Sequence, residues 1–366
     1  MERTPLHNYV FIASVAGLVL FGLAMLATAA AVLAFNHTAD NYFYLKRQLS
    51  HGVLPGIIFF FLASRIPYEK LRKFALPFMI LALVLTALVL VPQFGILENG
   101  ATRWLKVGSF SFQPSEILKL ASVLYLAALF EPKKRNVAQE GFVPFLFISA
   151  TVTFLLIAQP DMGTLGVILL TAFAVYFLAG AKPAHLLAVI LIGVVALSAF
   201  VYFKGYAWDR VQVYFNPTAD VQGSGYQINR ARTMIRSGGV LGIGYGQSQQ
   251  KSTAFLPEPM GDSIFAVTAQ ELGFAGVAFA VALFSMLGWQ GFAIARDART
   301  AFGRILAGGI TVWILVQAFI NISAISGILP LTGIPLPFVS YGGTSLVVLL
   351  TACGILYSIQ RTTNNA

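Results

Sequence analysis

An all-α, polytopic membrane protein with about ten transmembrane helices is the fold class that the sequence predicts, and three observations predict it. Charged residues make up only 10% of the 366-residue chain, against roughly 25% in a soluble domain. Hydrophobic residues make up 57%, and the mean hydropathy is +0.78. Apolar runs near the ~20 residues needed to cross a bilayer recur along the whole length.

The first run, near 9–35, is longer than the ~7–15-residue core of a signal peptide. It reads as a retained first helix, although small residues from Ala27 to Ala31 resemble a cleavage site. Further runs lie near 50–64, 74–92, 114–130, 142–158, 162–180 and 184–203, and then near 263–292, 303–326 and 338–359. The second is short and the eighth long. An even number of spans places both termini on one side.

Basic residues in short loops mark the cytoplasmic side. One set of loops holds Arg65, Lys70, Arg72, Lys73, Lys133, Lys134, Arg135, Lys182, Arg296, Arg299 and Arg304, and both termini fall with it. The opposite short loops hold only Lys46, Arg47, Arg103 and Lys106. Both termini are therefore expected in the cytoplasm. The segment 204–262, between the seventh and eighth helices, is then a large extracellular loop. Irregular segments of that length are uncommon unless functional or disordered, and this one is not low in complexity. Within it, Tyr226 to Ile235 suits a short interfacial helix with Ile228, Met234 and Ile235 on its apolar side. No soluble domain, linker or internal repeat is evident, so 1–366 reads as a single membrane domain.

The remaining composition excludes several classes. A single cysteine, Cys353, rules out an internal disulfide and a cysteine-clustered metal site. His7, His37, His51 and His185 show no ligand spacing. A net charge of +10 would suggest nucleic acid in a soluble protein; here it reads as basic residues meeting anionic membrane lipid, with no nucleic-acid partner.

Ionisable residues at bilayer depth are functional candidates by default. Glu116 and Lys119 lie three apart at the start of the fourth span and share a helix face. Asp161 opens the sixth span and Asp262 the eighth. In the orientation above all four lie toward the outer leaflet, which suggests one polar site opening outward. Each has a structural alternative. Asp161, after Pro160, and Asp262 can each be a helix N-cap. Glu116 and Lys119 can be a mutually neutralising pair, the preferred reading over direct chemistry. Arg230, Arg232 and Arg236 read as a solvated or headgroup-binding face, and Arg103 and Lys106 carry the same alternative. Two glycine-rich stretches are also notable. GGVLGIGYG at 238–246 could cradle phosphate, but no strand–helix context supports a nucleotide site, so a bent outer loop is the default. GILPLTGIPLPFVSYGGTSL at 327–346 breaks the backbone between two helices, as a re-entrant turn or as polar backbone facing substrate.

Four segments carry a family resemblance: ATRWLKVGSFSFQPSEILKL at 101–120, QPDMGT at 159–164, LPEPMGDSIFAVTAQELG at 256–273 and GILPLTGIPLPFVSYGGTSL at 327–346. In this order they resemble the SEDS family of shape, elongation, division and sporulation proteins, represented by RodA and FtsW, over nearly the whole chain. The resemblance implies a peptidoglycan glycosyltransferase of the bacterial cytoplasmic membrane that polymerises lipid II, with a class B penicillin-binding protein as partner. The family's essential outer-loop aspartate matches Asp262, its polar pair matches Glu116 and Lys119, and its QPD aspartate matches Asp161. Many members carry His-Thr before the essential aspartate and Phe after it, where this chain has Met260, Gly261 and Ser263. No role of that histidine transfers. GYQINRARTMIRSGGVLGIGYGQSQQK and YLKRQ look more like FtsW, GGTS at 342–345 more like RodA; the balance leans to FtsW and division.

The implied reaction joins a sugar hydroxyl to an anomeric carbon and expels a lipid pyrophosphate. Asp262 is the candidate general base. Lys119, Arg103 and Arg210 are candidate pyrophosphate contacts, with Glu116 orienting Lys119. Asp161 is a candidate ligand for a divalent cation, Mg²⁺ or Mn²⁺, arriving with the pyrophosphate; no organic cofactor is expected. The rival reading is a flippase that moves the lipid-linked precursor across the membrane. Transporters commonly show repeats and midplane sites, whereas the polar residues here gather at the outer edge.

Overall fold

The computed structural model describes residues 6–98, 101–108, 110–131, 137–203, 205–215, 224–248 and 255–364. In chain order the helices are α1 (Leu6–Ala29), α2 (Ala31–Thr38), α3 (Phe43–Gln48), α4 (Leu54–Arg65), α5 (Tyr68–Leu88), α6 (Pro114–Leu129), α7 (Val137–Glu140), α8 (Phe142–Ala158), α9 (Met162–Leu178), α10 (Pro183–Phe203), α11 (Gly205–Phe215), α12 (Ser224–Gly238), α13 (Ile264–Asp297), α14 (Ala301–Ser326) and α15 (Gly343–Asn364). A helix stands at each of the ten apolar runs. Six of them, α1, α5, α10, α13, α14 and α15, are long and apolar enough to cross a membrane on length and composition alone; α8 and α9 are apolar but shorter. The chain is a multi-pass membrane protein.

Three local departures from the sequence reading have physical causes. The first run is not one helix: α1 ends at Ala29, and α2 ends at Ala39 in a left-handed conformation with φ 58°. The second span is lengthened by a single π-helical stretch, Leu49–Val53, in front of α4. The connection before α6 is a three-stranded antiparallel sheet, β1 (Gly95–Glu98), β2 (Ala101–Val107) and β3 (Phe110–Phe112), in the order β1-β2-β3. Its alternation is too short to stand out beside long apolar runs, so the all-α reading missed it. On β2, Ala101 and Leu105 are buried, and Arg103 falls at a register shift, between Trp104 paired with Ile96 and Thr102 paired with Leu97.

The core runs through α14. Trp313, Ile310, Ile314 and Leu306 are fully buried there, among residues of α1, α6, α9, α13 and α15. Helix α10 is the opposite case: none of its described side chains is buried by the rest of the described chain.

The described part of the 204–262 segment folds onto the bundle through α12. On α12, Ile228 and Met234 are buried in the core and Ile235 packs against it. The predicted amphipathic helix exists, but its apolar face is buried against protein instead of lying in the membrane interface. The glycine-rich turn after it also has a structural task. Helix α13 breaks at Gly273, with φ 64° and ψ −162°. A broken helix leaves carbonyls and N–H groups without partners. The turn supplies them: Ile243 and Gly244 donate N–H to the carbonyls of Gln270 and Glu271 at 3.0 and 3.1 Å, and Phe274 and Ala275 donate to the carbonyls of Gly239 and Val240 at 2.9 and 3.0 Å. The Ile243 and Gly244 N–H groups are thus committed to the break and not to a phosphate.

A Cβ at Gly273 would stand 2.3 Å from the Gly242 nitrogen and 2.6 Å from the Val240 oxygen, at a positive φ. Gly273→Ala is therefore expected to destabilise the protein by about 1–3 kcal/mol, read as a lower melting temperature in detergent. An unchanged melting temperature would show that the turn does not hold the break.

Candidate active site

Asp262 sits two residues before α13, at the end of that helix which the loop charges predict to face outward. Its backbone is fixed from two sides. Asn321 of α14 donates from Nδ2 to the Asp262 carbonyl at 2.9 Å and to the Ile334 carbonyl at 2.8 Å. Next to it, Ser340 Oγ donates to the Gly261 carbonyl at 2.7 Å, and the Tyr341 N–H donates to the Met260 carbonyl at 2.8 Å. The 327–342 stretch is thus clamped against the residues just before Asp262. A Cβ at Gly333, where φ is +69°, would lie 4.0 Å from Asp262 Oδ2, so the carboxylate stands over bare backbone.

The carboxylate itself is half-buried and held by neutral donors. Gln227 of α12 donates from Nε2 to Oδ1 at 3.2 Å and to Oδ2 at 3.3 Å. The same nitrogen lies 3.0 Å from Ser263 Oγ, which is 3.4 Å from Oδ1. Burial pushes the Asp262 carboxyl up to about 6, and the nearby Glu258 charge adds to the rise; the Gln227 and Ser263 hydrogen bonds oppose it. Desolvation is the leading cause, as expected for a carboxylate with no cationic partner close by among the described residues. A carboxylate in this range is a far better proton acceptor near neutral pH than an ordinary aspartate. Gln227 carried no signal in the sequence, because a lone glutamine in a polar loop is ordinary.

Glu116 and Lys119 form a buried ion pair, Nζ to Oε1 at 2.7 Å, with each side chain 2% exposed. Lys119 Nζ also donates to Gln317 Oε1 at 2.8 Å and lies 5.6 Å from the centroid of the Trp313 ring. Trp313 Nε1 donates to the same Gln317 oxygen at 3.0 Å, and Gln317 Nε2 donates to the Pro335 carbonyl at 3.0 Å. Gln317 and Asn321 lie four apart on α14, so they share a face. Together they tie adjacent carbonyls, Pro335 and Ile334, to the helix. Lys119 thus reaches the Asp262 surroundings through Gln317 and the 332–335 backbone.

Asp161 caps α9. Its Oδ1 accepts from the Thr164 N–H at 3.4 Å, and its Oδ2 accepts from Ser115 Oγ at 3.1 Å and Gln113 Nε2 at 3.4 Å. The N-cap alternative therefore describes its geometry. Among the described residues no group of three or more His, Cys, Asp or Glu could hold a metal ion. The Arg103 guanidinium bonds the Pro160 carbonyl and its Nε is buried without a partner. The start of α9 meets the same loop as Asp262: a Cβ at Gly163 would stand 2.6 Å from the Thr332 carbonyl oxygen. Arg210 lies on α11, and its side chain is outside the described residues. Glu116, Lys119 and Asp262 connect by hydrogen bonds to the 332–335 backbone through Gln317 and Asn321, whereas Asp161 and Arg103 form a separate group at the start of α9 that meets the same stretch by packing at Gly163.

The chain matches the family described as "Cell cycle protein", that of FtsW, RodA and SpoVE, over residues 8–365. It is 40% identical over 346 residues to stage V sporulation protein E of Bacillus subtilis (strain 168), covering 94% of each chain. It is 36% identical over 356 residues to the probable peptidoglycan glycosyltransferase FtsW of Geobacter sulfurreducens (strain DL-1 / KN400), covering 97% of this chain and 95% of that one. In fold it is similar to a chain from a peptidoglycan synthase complex whose description is the structural coordination of polymerization and crosslinking. That match has a TM-score of 0.82 and 28% identity and covers 97% of this chain and 98% of the other.

Proposed function

The chain belongs to the FtsW, RodA and SpoVE family of cell cycle proteins, and we propose that it is a peptidoglycan glycosyltransferase polymerising lipid II on the outer face of the bacterial cytoplasmic membrane. The observation that carries the mechanism is the Asp262 carboxylate, backed by three elements and held by Gln227, with its proton affinity raised toward neutral pH. It takes the proton of the attacking sugar hydroxyl as that oxygen bonds the anomeric carbon. The bond from that carbon to the lipid diphosphate breaks at the same time, and the diphosphate leaves with the electron pair. Glu116 and Lys119 keep the 332–335 backbone in place through Gln317, a supporting role in place of the direct pyrophosphate contact expected from sequence. Asp161 and Arg103 support the neighbouring start of α9. A divalent cation bound with the pyrophosphate remains compatible with this arrangement and would help to neutralise the leaving group.

A lipid-linked donor must arrive from the bilayer. Helix α10, without a buried side chain among those described, leaves the flank beside α9 lightly packed and suited to lateral entry. A class B penicillin-binding protein as partner is supported by the likeness to a chain of a complex that couples polymerization to crosslinking. The likeness to the probable peptidoglycan glycosyltransferase FtsW of Geobacter sulfurreducens favours the division branch over elongation. Incubation of the purified protein with lipid II, alone and with a partner transpeptidase, followed by gel analysis of glycan length, tests the activity. A folded protein that moves lipid II across vesicles and forms no polymer would be a flippase.

The same reading puts both termini in the cytoplasm and 204–262 outside. Leu241 is 81% exposed at the tip of the glycine-rich turn, while the native Cys353 is buried. A Leu241→Cys variant is expected to react with a membrane-impermeant maleimide in spheroplasts. Labelling only after lysis would invert the orientation and move the site to the cytoplasm. Ser248 is a poor position for this test, because its hydroxyl is buried against Gln270.

A further inference from the structure

The three arginines of α12 do not form one solvated face. Arg232 is spent on the protein, donating to the Gly327 carbonyl at 3.0 Å. Arg236 is exposed in the last turn. Arg230 is half-buried, and its Cζ lies 4.8 Å from the Tyr226 ring centroid and 4.5 Å from the Phe255 centroid. Two rings at these distances hold a guanidinium in place by cation–π attraction. Among the described residues nothing accepts a hydrogen bond from it and no carboxylate pairs with it. A guanidinium carries five donors and no acceptor, so Arg230 is held in position with its donors uncommitted among the described residues.

Its neighbours tie it to the site. Gln227, which bonds Asp262, lies three residues before it on the same helix, so the two side chains leave one face of α12. Phe255 lies seven residues before Asp262 in the same connection to α13. The cation therefore stands on the wall that carries the carboxylate, one helical turn from its holder. A restrained planar guanidinium favours bidentate binding of phosphate or carboxylate oxygens.

We propose that Arg230 is an oxyanion-binding residue of this site, taking the diphosphate of the lipid-linked donor. The proposal rests on the Asp262 site being outward-facing and active. The phosphate of a bilayer headgroup has the same chemistry, and the test separates the two sources.

The full-length protein in detergent is titrated with farnesyl diphosphate as the probe, and binding is read by calorimetry. Arg230→Gln is expected to weaken binding at least about tenfold, the loss that follows from one charged hydrogen-bonded contact. Arg230→Lys should recover only part of it, since an ammonium lacks the planar fork. Arg236→Gln should bind as the wild type does. Phosphatidylglycerol should compete weakly; equal competition that is also lost in Arg230→Gln would make this a headgroup site and overturn the proposal. Unchanged farnesyl diphosphate affinity in a folded Arg230→Gln protein would also overturn it. The probe contains no sugar, so the result does not depend on proton transfer.

Discussion

Asp262→Asn is expected to lower lipid II polymerisation at least about 100-fold, the low end of what a positioned general base contributes. The substitution is informative because so little else changes. Asparagine keeps the shape and one carbonyl oxygen, so it can still accept from Gln227 Nε2. The backbone bond from Asn321 to the residue 262 carbonyl does not involve the side chain. Asparagine is also a good N-cap, so a purely structural Asp262 would tolerate the change. The pH dependence provides a second reading. A base must be ionised, so wild-type activity should fall as pH drops through about 6, where burial has moved the carboxyl. Stability should move in the opposite sense. A carboxyl raised from 3.8 to about 6 in the folded state favours the fold when protonated. That contribution is complete below the ordinary carboxylate value and lost as pH rises through about 6. Asparagine carries no such penalty, so Asp262→Asn should melt higher than the wild type at pH 8 and match it near pH 4. Near-normal polymer formation by the folded variant would remove Asp262 from the chemistry.

How far the sequence revealed this arrangement varied with the kind of interaction. The helices were legible because a bilayer imposes length and hydrophobicity on each span, and even the 142–158 boundaries match α8. Asp262 and Asp161 were legible because a carboxylate at the edge of an apolar run is conspicuous. The contacts of Lys119 with Gln317 and Trp313 were not, since they join α6 to α14 across nearly two hundred positions. Gln227 and Arg230 were hidden for a different reason. Polar residues in a polar segment have no compositional contrast, and only packing of α12 on α13 distinguishes them from solvated neighbours. The glycines at 238–246 were visible but ambiguous. Closely spaced N–H groups suit a phosphate or a broken helix equally well, and the break at Gly273 lay inside an apolar run that reads as continuous.

Lys119→Met is expected to lower turnover at least about tenfold, with the loss carried by the 332–335 backbone instead of a missing substrate contact. Glu116 Oε2 already lacks a partner in the buried site. Removing the lysine strands the whole carboxylate, and breaking a buried pair in this way costs about 3–5 kcal/mol. The single substitution therefore mixes destabilisation with lost function. Glu116→Gln combined with Lys119→Met removes both charges and should recover most of the melting temperature. If Lys119 works through Gln317, the double variant stays slow although it is stable. Gln317→Leu, which leaves the ion pair intact, should then show a comparable loss of turnover, because the Pro335 carbonyl loses its anchor. Combining Gln317→Leu with Lys119→Met should add little, since the two changes act on one connected unit. A Lys119 that touched the leaving diphosphate would behave differently: Gln317→Leu would remain active, and the combined losses would add. Full activity in a folded Lys119→Met protein would exclude both roles and reduce the pair to charge neutralisation within the bundle.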